Sequence, residues 1–267
     1  MIEPGLIKDF YPPFMWENVG LRKYMIKEYI QLLILDYLSA TAFIKKIVFI
    51  GGSNLRLVKG IDRFSEDLDF DCKDLSDEEF IKMTDDIIMF LQRYGFRAEA
   101  RDKPNDKLKA FRRNIYFPGF LFELGLSAYL NERFLIKIES QDQEVDYHKK
   151  LATISGCGFY FKFTTPVDHV LCAMKISALL SRQKGRDFYD VMFLMNRTSP
   201  DFNFLSVQCG INDLSGLKKA FKGVVKKVDL KHKSRDFEHL VFDKRNASKI
   251  LLFEEFVEKI SQDGSTA

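Results

Sequence analysis

Residues 47–72 read IVFIGGSNLRLVKGIDRFSEDLDFDC, and the rest of the chain is best interpreted outward from them. Four apolar residues, Ile47, Val48, Phe49 and Ile50, run into Gly51-Gly52-Ser53, a short helical turn follows, and Asp67-Leu68-Asp69-Phe70-Asp71 then alternates strictly. Strict alternation marks a strand whose successive side chains point to opposite faces. Asp67, Asp69 and Asp71 therefore share one face, with Leu68 and Phe70 on the core side. Like charges stacked on one face are costly unless a cation sits there, and carboxylates at i and i+2 suit a hard divalent ion such as Mg²⁺, which takes a few carboxylates plus substrate phosphates. The double glycine before Ser53 lets the backbone approach a phosphate, whose oxygens accept from N–H groups and the hydroxyl.

This combination resembles the DNA polymerase β-like nucleotidyltransferases. More closely, GGSNLRLVKGIDRFSEDLDFD is similar to the signature of the AbiEii/AbiGii-type nucleotidyltransferase toxins, with Gly51, Gly52, Ser53, Leu55, Arg56, Arg63, Ser65, Asp67, Asp69 and Phe70 at the positions of that pattern. The resemblance implies metal binding by Asp67 and Asp69, and nucleotide binding by Gly51, Gly52, Ser53, Arg56, Arg63 and Ser65.

The chain's 267 residues, 46% hydrophobic and 30% charged, suffice for one large or two small domains with a sizeable core. A net charge of +3 permits a nucleic-acid partner without requiring one. Four cysteines, at 72, 157, 172 and 209, have no CxxC spacing and read as reduced structural thiols rather than a zinc site. The N-terminus lacks a basic-then-apolar signal peptide, and Ile30 to Ile44 carries Asp36 and is too short to span a bilayer, so the expectation is a cytoplasmic protein with no membrane partner.

Residues 1–20, rich in Pro and aromatics, are expected to form an arm. Helical spacing predicts a largely buried helix from Leu21 to about Ala40, followed by a strand from Lys46 to Ile50. A further helix is predicted from Asp77 to Tyr94, opened by a Ser76/Glu79 capping box. Strands are predicted at Phe96–Ala100, Phe111–Phe117 and Phe134–Ser140, and residues 120–133 have no assignable pattern. Lys107, Lys109, Arg112 and Arg113, interleaved with Phe111, Tyr116 and Phe117, make the most basic stretch, which is either a nucleic-acid contact or a strand edge protected by charge. In the polymerase β-like fold a third carboxylate comes from a later strand, and the resemblance puts Glu139 there, to complete a metal cage or take the acceptor's proton. Glu123 is the weaker rival.

The second informative segment, TTPVDHVLCAMKISALLSRQKGRDFYDVMFLM, spans Thr164 to Met195. Thr165 as N-cap, Pro166 and Asp168 predict a helix start. Lys175 and Arg182 fall on a common stripe, Gly185 is read as a helix break, and Asp187 and Asp190 share a face of the next helix. The segment resembles the second motif of the same toxin family, a helical Lys followed by an Arg and an RDxxD cluster. That implies Lys175 on the triphosphate, Arg182 among the nucleotide contacts, and catalytic or orienting roles for Asp187 and Asp190. The alternative is an interhelical salt-bridge set.

Beyond Asn196 a polar loop is expected, then a helix near Leu214 to Val228 whose Lys218, Lys219, Lys222 and Lys226 either bind RNA or are a solvated face. A charged, mobile run at Lys231–Arg245, a last helix near Ala247–Ile260 and a disordered tail after Ser261 complete the expectation. The fold class is α/β (α+β): a nucleotidyltransferase core with a mixed sheet over residues 1–163 and a helical C-terminal half over 164–267 that completes the cleft. The expected reaction is transfer of an NMP from an NTP to an acceptor hydroxyl with Mg²⁺ or Mn²⁺ as cofactor. The resemblance adds a tRNA 3′ end as acceptor and a place as toxin of a type IV-like toxin–antitoxin (abortive infection) pair with a cognate antitoxin. The alternatives are a catalytically silent nucleic-acid or partner-binding module, and a transferase acting on a protein or small molecule.

Overall fold

In the computed structural model, which describes residues 4–102 and 110–260, the acidic alternating stretch is an inner strand of a mixed sheet. The described residues divide into two units. One holds those up to Gly60 and those within Phe64–Glu144 and Leu151–Thr165; the other holds Ile61–Arg63, Val145–Lys150 and those from Pro166 onward.

The first unit opens with short helices α1 (Pro4–Lys8) and α2 (Pro13–Glu17), which bury Ile7 and Met15, with Tyr11 buried between them. The expected arm is thus two helical turns anchored by apolar side chains. Helix α3 (Val19–Ser39) is capped by the Asn18 side chain and buries Leu21, Met25, Ile26, Ile30, the run Leu32–Leu35 and Leu38 together with the polar Lys27, Glu28 and Gln31, so it is buried on most sides. A 3-10 turn (Ala42–Lys45) leads to β1 (Ile47–Ile50), then α4 (Gly51–Leu57) and β2 (Asp67–Cys72). Helix α5 (Asp77–Arg93) starts at the predicted capping box, a device whose N-cap bond contributes about 1 kcal/mol.

Strands β3 (Glu99–Ala100) and β4 (Phe111–Tyr116), helix α6 (Phe120–Glu123), and strand β5 (Leu135–Gln141) follow. The five-stranded order is β1-β2-β5-β4-β3; β2 and β5 run parallel and the other neighbours antiparallel. Phe134, Ile136 and Ile138 are buried, as their alternation predicts. Phe96 to Ala98, expected as strand, is not in the ladder, and the unassigned 120–133 segment contains α6. Sequence reasoning did not find the hairpin of β6 (Lys149–Gly156) and β7 (Phe159–Pro166). Its two-residue turn, Cys157-Gly158, has positive φ at both positions (50° and 83°), a conformation usually signalled by Asn-Gly and here disguised by cysteine. Rings of Phe49, Phe70 and Phe163 meet at 5.9–6.0 Å and tie β1, β2 and β7 into one core.

The second unit is helical. Helix α7 (Asp168–Arg182) begins two residues later than expected, because Thr165 and Pro166 end β7 and Val167 takes the N-cap place. The break before α8 (Gly185–Met195) is at Gln183, whose φ is +53°, not at Gly185. Gly185 lies inside α8 for another reason: a Cβ there would sit 1.8 Å from the Lys233 carbonyl oxygen. The expected polar loop contains α9 (Phe202–Cys209), capped by Asp201. Helix α10 (Leu214–Val225) follows, and the run expected to be mobile instead forms α11 (Leu230–Arg235) and buries Phe237, Leu240 and Val241. A 3-10 segment (Lys244–Leu252) and α12 (Phe253–Lys259) replace the single last helix, with Phe253 packed edge-on against Phe188 and Phe221. No helix among the described residues is long and apolar enough to cross a membrane.

Candidate active site

Parallel pairing of β2 and β5 sets Asp67 beside Lys137 and Asp69 beside Glu139, while antiparallel pairing of β4 sets Arg112 beside Glu139. Because the side-chain period is two, these five residues lie on one face of the sheet. Lys137 Nζ is 3.0 Å from Asp67 Oδ2 and 3.1 Å from Glu139 Oε2, and the Arg112 guanidinium is bonded to Glu139 from the other side. Asp71, on the same strand, is turned to structural use: it is buried and its Oδ1 accepts from the Gln143 N–H at 2.9 Å.

The turn after β1 is shaped around Asp69. Gly51 has φ +80°, and a Cβ on it would lie 2.0 Å from Asp69 Oδ2. Glycine is thus required twice, by the left-handed backbone and by the carboxylate occupying the space. Gly51→Ala is expected to displace Asp69 and cut transfer as deeply as loss of that carboxylate, with a fall in unfolding temperature from backbone strain of about 1–2 kcal/mol. Turnover and a thermal melt on the purified variant check this, and wild-type turnover would show that Asp69 does not need its present place.

Several residues expected to touch nucleotide have partners within the protein. Ser53 is buried and donates its hydroxyl to the Asp67 carbonyl, pinning the start of α4 to the start of β2. Arg56 pairs with Glu28 of α3 through two bonds of 2.7 and 3.0 Å; Tyr11 also donates to Glu28, and the Cys157 thiol donates to the Tyr11 hydroxyl. Arg56 therefore braces α4 against α3. Ser65 is buried and its carbonyl accepts from Gln31. Arg63 belongs to the second unit, only 1% exposed, with its guanidinium forked onto Asp190 by two bonds of 2.7 Å.

Glu139 stands beside Asp69 in the register and is paired with Lys137 and Arg112. Burial raises its pKa, but the Lys137 ammonium, and then Arg112, outweigh this and hold it below the ordinary glutamate range. A carboxylate so compensated is a poor proton acceptor. Among the described residues no three His, Cys, Asp or Glu side chains form a ready metal cage. Asp67 and Asp69 supply two carboxylates, which fits Mg²⁺ or Mn²⁺ completed by phosphates and water, and a protein cation already rests against one of them. Glu123, the weaker rival, pairs with Arg97 at 2.9 Å.

In the second unit, Lys175 donates to Asp190 Oδ2 at 2.9 Å, so the fully buried Asp190 holds both Lys175 and Arg63. Burial raises the Asp190 pKa, but Arg63 and then Lys175 pull it down to about 2. Burial lowers the Lys175 pKa; Asp190 opposes this, Arg63 and Arg182 reinforce it, and the net is a proton held less firmly than in ordinary lysine. Of the two candidate orienting acids, Asp190 is the one bonded to Lys175. Asp187 instead accepts from Arg182 at 2.7–3.2 Å and from the Lys184 N–H at 3.0 Å, closing the α7–α8 corner. Arg182 is held there with 42% of its side chain exposed.

The basic candidates are largely neutralised. Arg112 pairs with Glu139, and Arg113 with Asp85 and Asp102. Lys222 pairs with Glu258 at 2.6 Å, and Lys218 donates to the Glu258 carbonyl at 3.2 Å. All four thus have partners within the protein. Lys107, Lys109 and the tail after Ser261 lie outside the described residues. Sequence reasoning missed Lys137, although its place two residues before Glu139 on an alternating strand put it on the same face.

Residues 33–249 match the family described as nucleotidyl transferase AbiEii toxin, type IV TA system. No curated protein is similar enough in sequence to be matched. Among solved structures the fold is similar to MenT4, a nucleotidyltransferase toxin from Mycobacterium tuberculosis, with a TM-score of 0.63 and 16% identity over 99% of this chain and 92% of that one. It is also similar to JHP933 from Helicobacter pylori, with a TM-score of 0.53 and 18% identity over 88% of this chain and 92% of that one. At these identities the likeness concerns the fold alone.

Proposed function

This chain belongs to the AbiEii family of nucleotidyltransferase toxins of type IV toxin–antitoxin systems, and from that premise we propose that Asp67 and Asp69 hold a divalent ion, Mg²⁺ or Mn²⁺, with a bound NTP. Such an ion would offset the charge of the triphosphate and polarise the reacting phosphate. The acceptor hydroxyl oxygen bonds to the α-phosphorus and gives up its proton to water, the bond from that phosphorus to the oxygen bridging to the β-phosphate breaks, and pyrophosphate leaves with that bond's electron pair. With the Ser53 hydroxyl engaged by Asp67, the backbone at Gly51 and Gly52 remains to approach the phosphates, and Lys175, oriented by Asp190, supplies positive charge to the leaving group.

The observation that carries this reading is the register in which Asp67 and Asp69 stand side by side with Lys137 and Glu139 on one face. It puts the acidic pair where cations are already drawn. From the family resemblance, the acceptor is a tRNA 3′ end, the partner an antitoxin, and the setting the cytoplasm. The alternative of a catalytically silent binding module draws less support, since Arg112, Arg113, Lys218 and Lys222 are engaged within the protein.

The test is incubation of the purified protein with total RNA and each labelled NTP in turn, with Mg²⁺ or Mn²⁺. Label is expected in a tRNA-sized species with one preferred NTP. Label confined to protein would redirect the acceptor class, and no label under any condition would sink the transfer reading.

A further inference from the structure

The acidic face already contains a cation of its own that the reaction described above does not use. Lys137 faces Asp67 in the parallel register, and its Nζ bridges Asp67 Oδ2 at 3.0 Å and Glu139 Oε2 at 3.1 Å. The three side chains are only 20–24% exposed, so this is not a loose surface pair. With Arg112 on the far side of Glu139, the two carboxylates of Asp67 and Glu139 are met by two protein cations.

We propose that Lys137 is the resident second cation of this site, filling the position between Asp67 and Glu139 so that the chain takes a single divalent ion, on the Asp67–Asp69 side. The inference rests on the metal-binding reading of those aspartates. Its physical basis is exclusion: two-metal sites bind ions roughly 3.5–4 Å apart on shared carboxylates, and an ammonium bonded to both oxygens leaves neither the space nor the uncompensated charge for a second ion. The lysine thereby turns what would be a three-carboxylate, two-ion site into a two-carboxylate, one-ion site. Lys137 is in this sense a positioning residue, holding Asp67 and withdrawing Glu139 from metal binding.

Mn²⁺ titration followed by electron paramagnetic resonance, on the full chain with a non-hydrolysable NTP analogue, counts the ions independently of turnover. Wild type and Lys137→Arg are expected to bind one Mn²⁺ per chain, lost in Asp69→Asn. Lys137→Met is expected to bind two, or to hold the one at least tenfold more tightly. Lys137→Gln, which keeps polar bonds to both carboxylates but not the charge, is expected to behave as Lys137→Met does and serves where the methionine variant does not fold. Wild-type count and affinity in the charge-free variants, or two ions in wild type, would overturn the inference. If wild type instead binds Mn²⁺ no better than Asp69→Asn, the metal reading of Asp67 and Asp69 fails first and takes this inference with it, so the two failures are told apart.

Discussion

Asp67→Asn and Asp69→Asn are each expected to remove nucleotidyl transfer, lowering turnover by roughly a thousandfold or more, while the unfolding temperature moves by only a few degrees. The size follows from the role: charge stabilisation at a transferring phosphoryl group contributes several kcal/mol, and each 1.36 kcal/mol is about tenfold in rate. Asparagine keeps the shape that fills the gap left by Gly51 and leaves Lys137 bonded to Glu139. It also relieves repulsion between neighbouring carboxylates, so the fold loses little. Single-turnover transfer assays and thermal melts on the same preparations check both halves. Turnover within a few-fold of wild type in either variant would remove that aspartate from the metal site.

The second large effect is on stability and comes from Asp190. Asp190→Ala leaves the Arg63 guanidinium and the Lys175 ammonium buried without their shared counter-charge. Breaking a buried pair by removing one partner costs on the order of 3–5 kcal/mol, which for a chain of this size corresponds to an unfolding temperature lower by roughly ten degrees. Lys175→Met should cost much less stability, because Asp190 keeps its forked bond to Arg63 and burial already disfavours the lysine charge. In turnover Lys175→Met is the one with a large effect of its own: loss of a charge contact that acts mainly in the transition state costs on the order of 3 kcal/mol, roughly a hundredfold, with nucleotide affinity little changed. A Lys175→Met enzyme within a few-fold of wild type would return Lys175 to a purely structural part.

Acid sensitivity follows from the same carboxylate. The folded pKa of Asp190 lies below its ordinary 3.8, at about 2, so its contribution is fully present above about pH 4 and is lost as the pH falls toward about 2. The expected size is about 2 kcal/mol. Denaturant midpoints measured between pH 5 and pH 2 should fall less steeply in Asp190→Asn than in wild type.

Much of the site's material was legible in the chain because it depends on local rules. The Asp67–Asp71 alternation, the Gly51-Gly52 turn and the Ser76/Glu79 capping box are set by neighbours within a few residues, and the structure has each of them. Where a local rule met a tertiary demand, the demand won. Thr165-Pro166 looks like a helix start but ends a strand, and Gly185 looks like a helix break but makes room for the Lys233 carbonyl.

What the sequence by itself determined was which residues could do chemistry: an acidic strand face, a phosphate-friendly turn and a helical lysine with acids nearby. What only the tertiary structure decided was which charge meets which. Arg56 was claimed by Glu28 and Arg63 by Asp190, a partner 127 residues away, and Lys137 was set between Asp67 and Glu139 by a parallel register joining distant segments. Ion pairing follows distance in space, weakening as charges separate, and a chain's local pattern carries no information about which remote segment will be brought close.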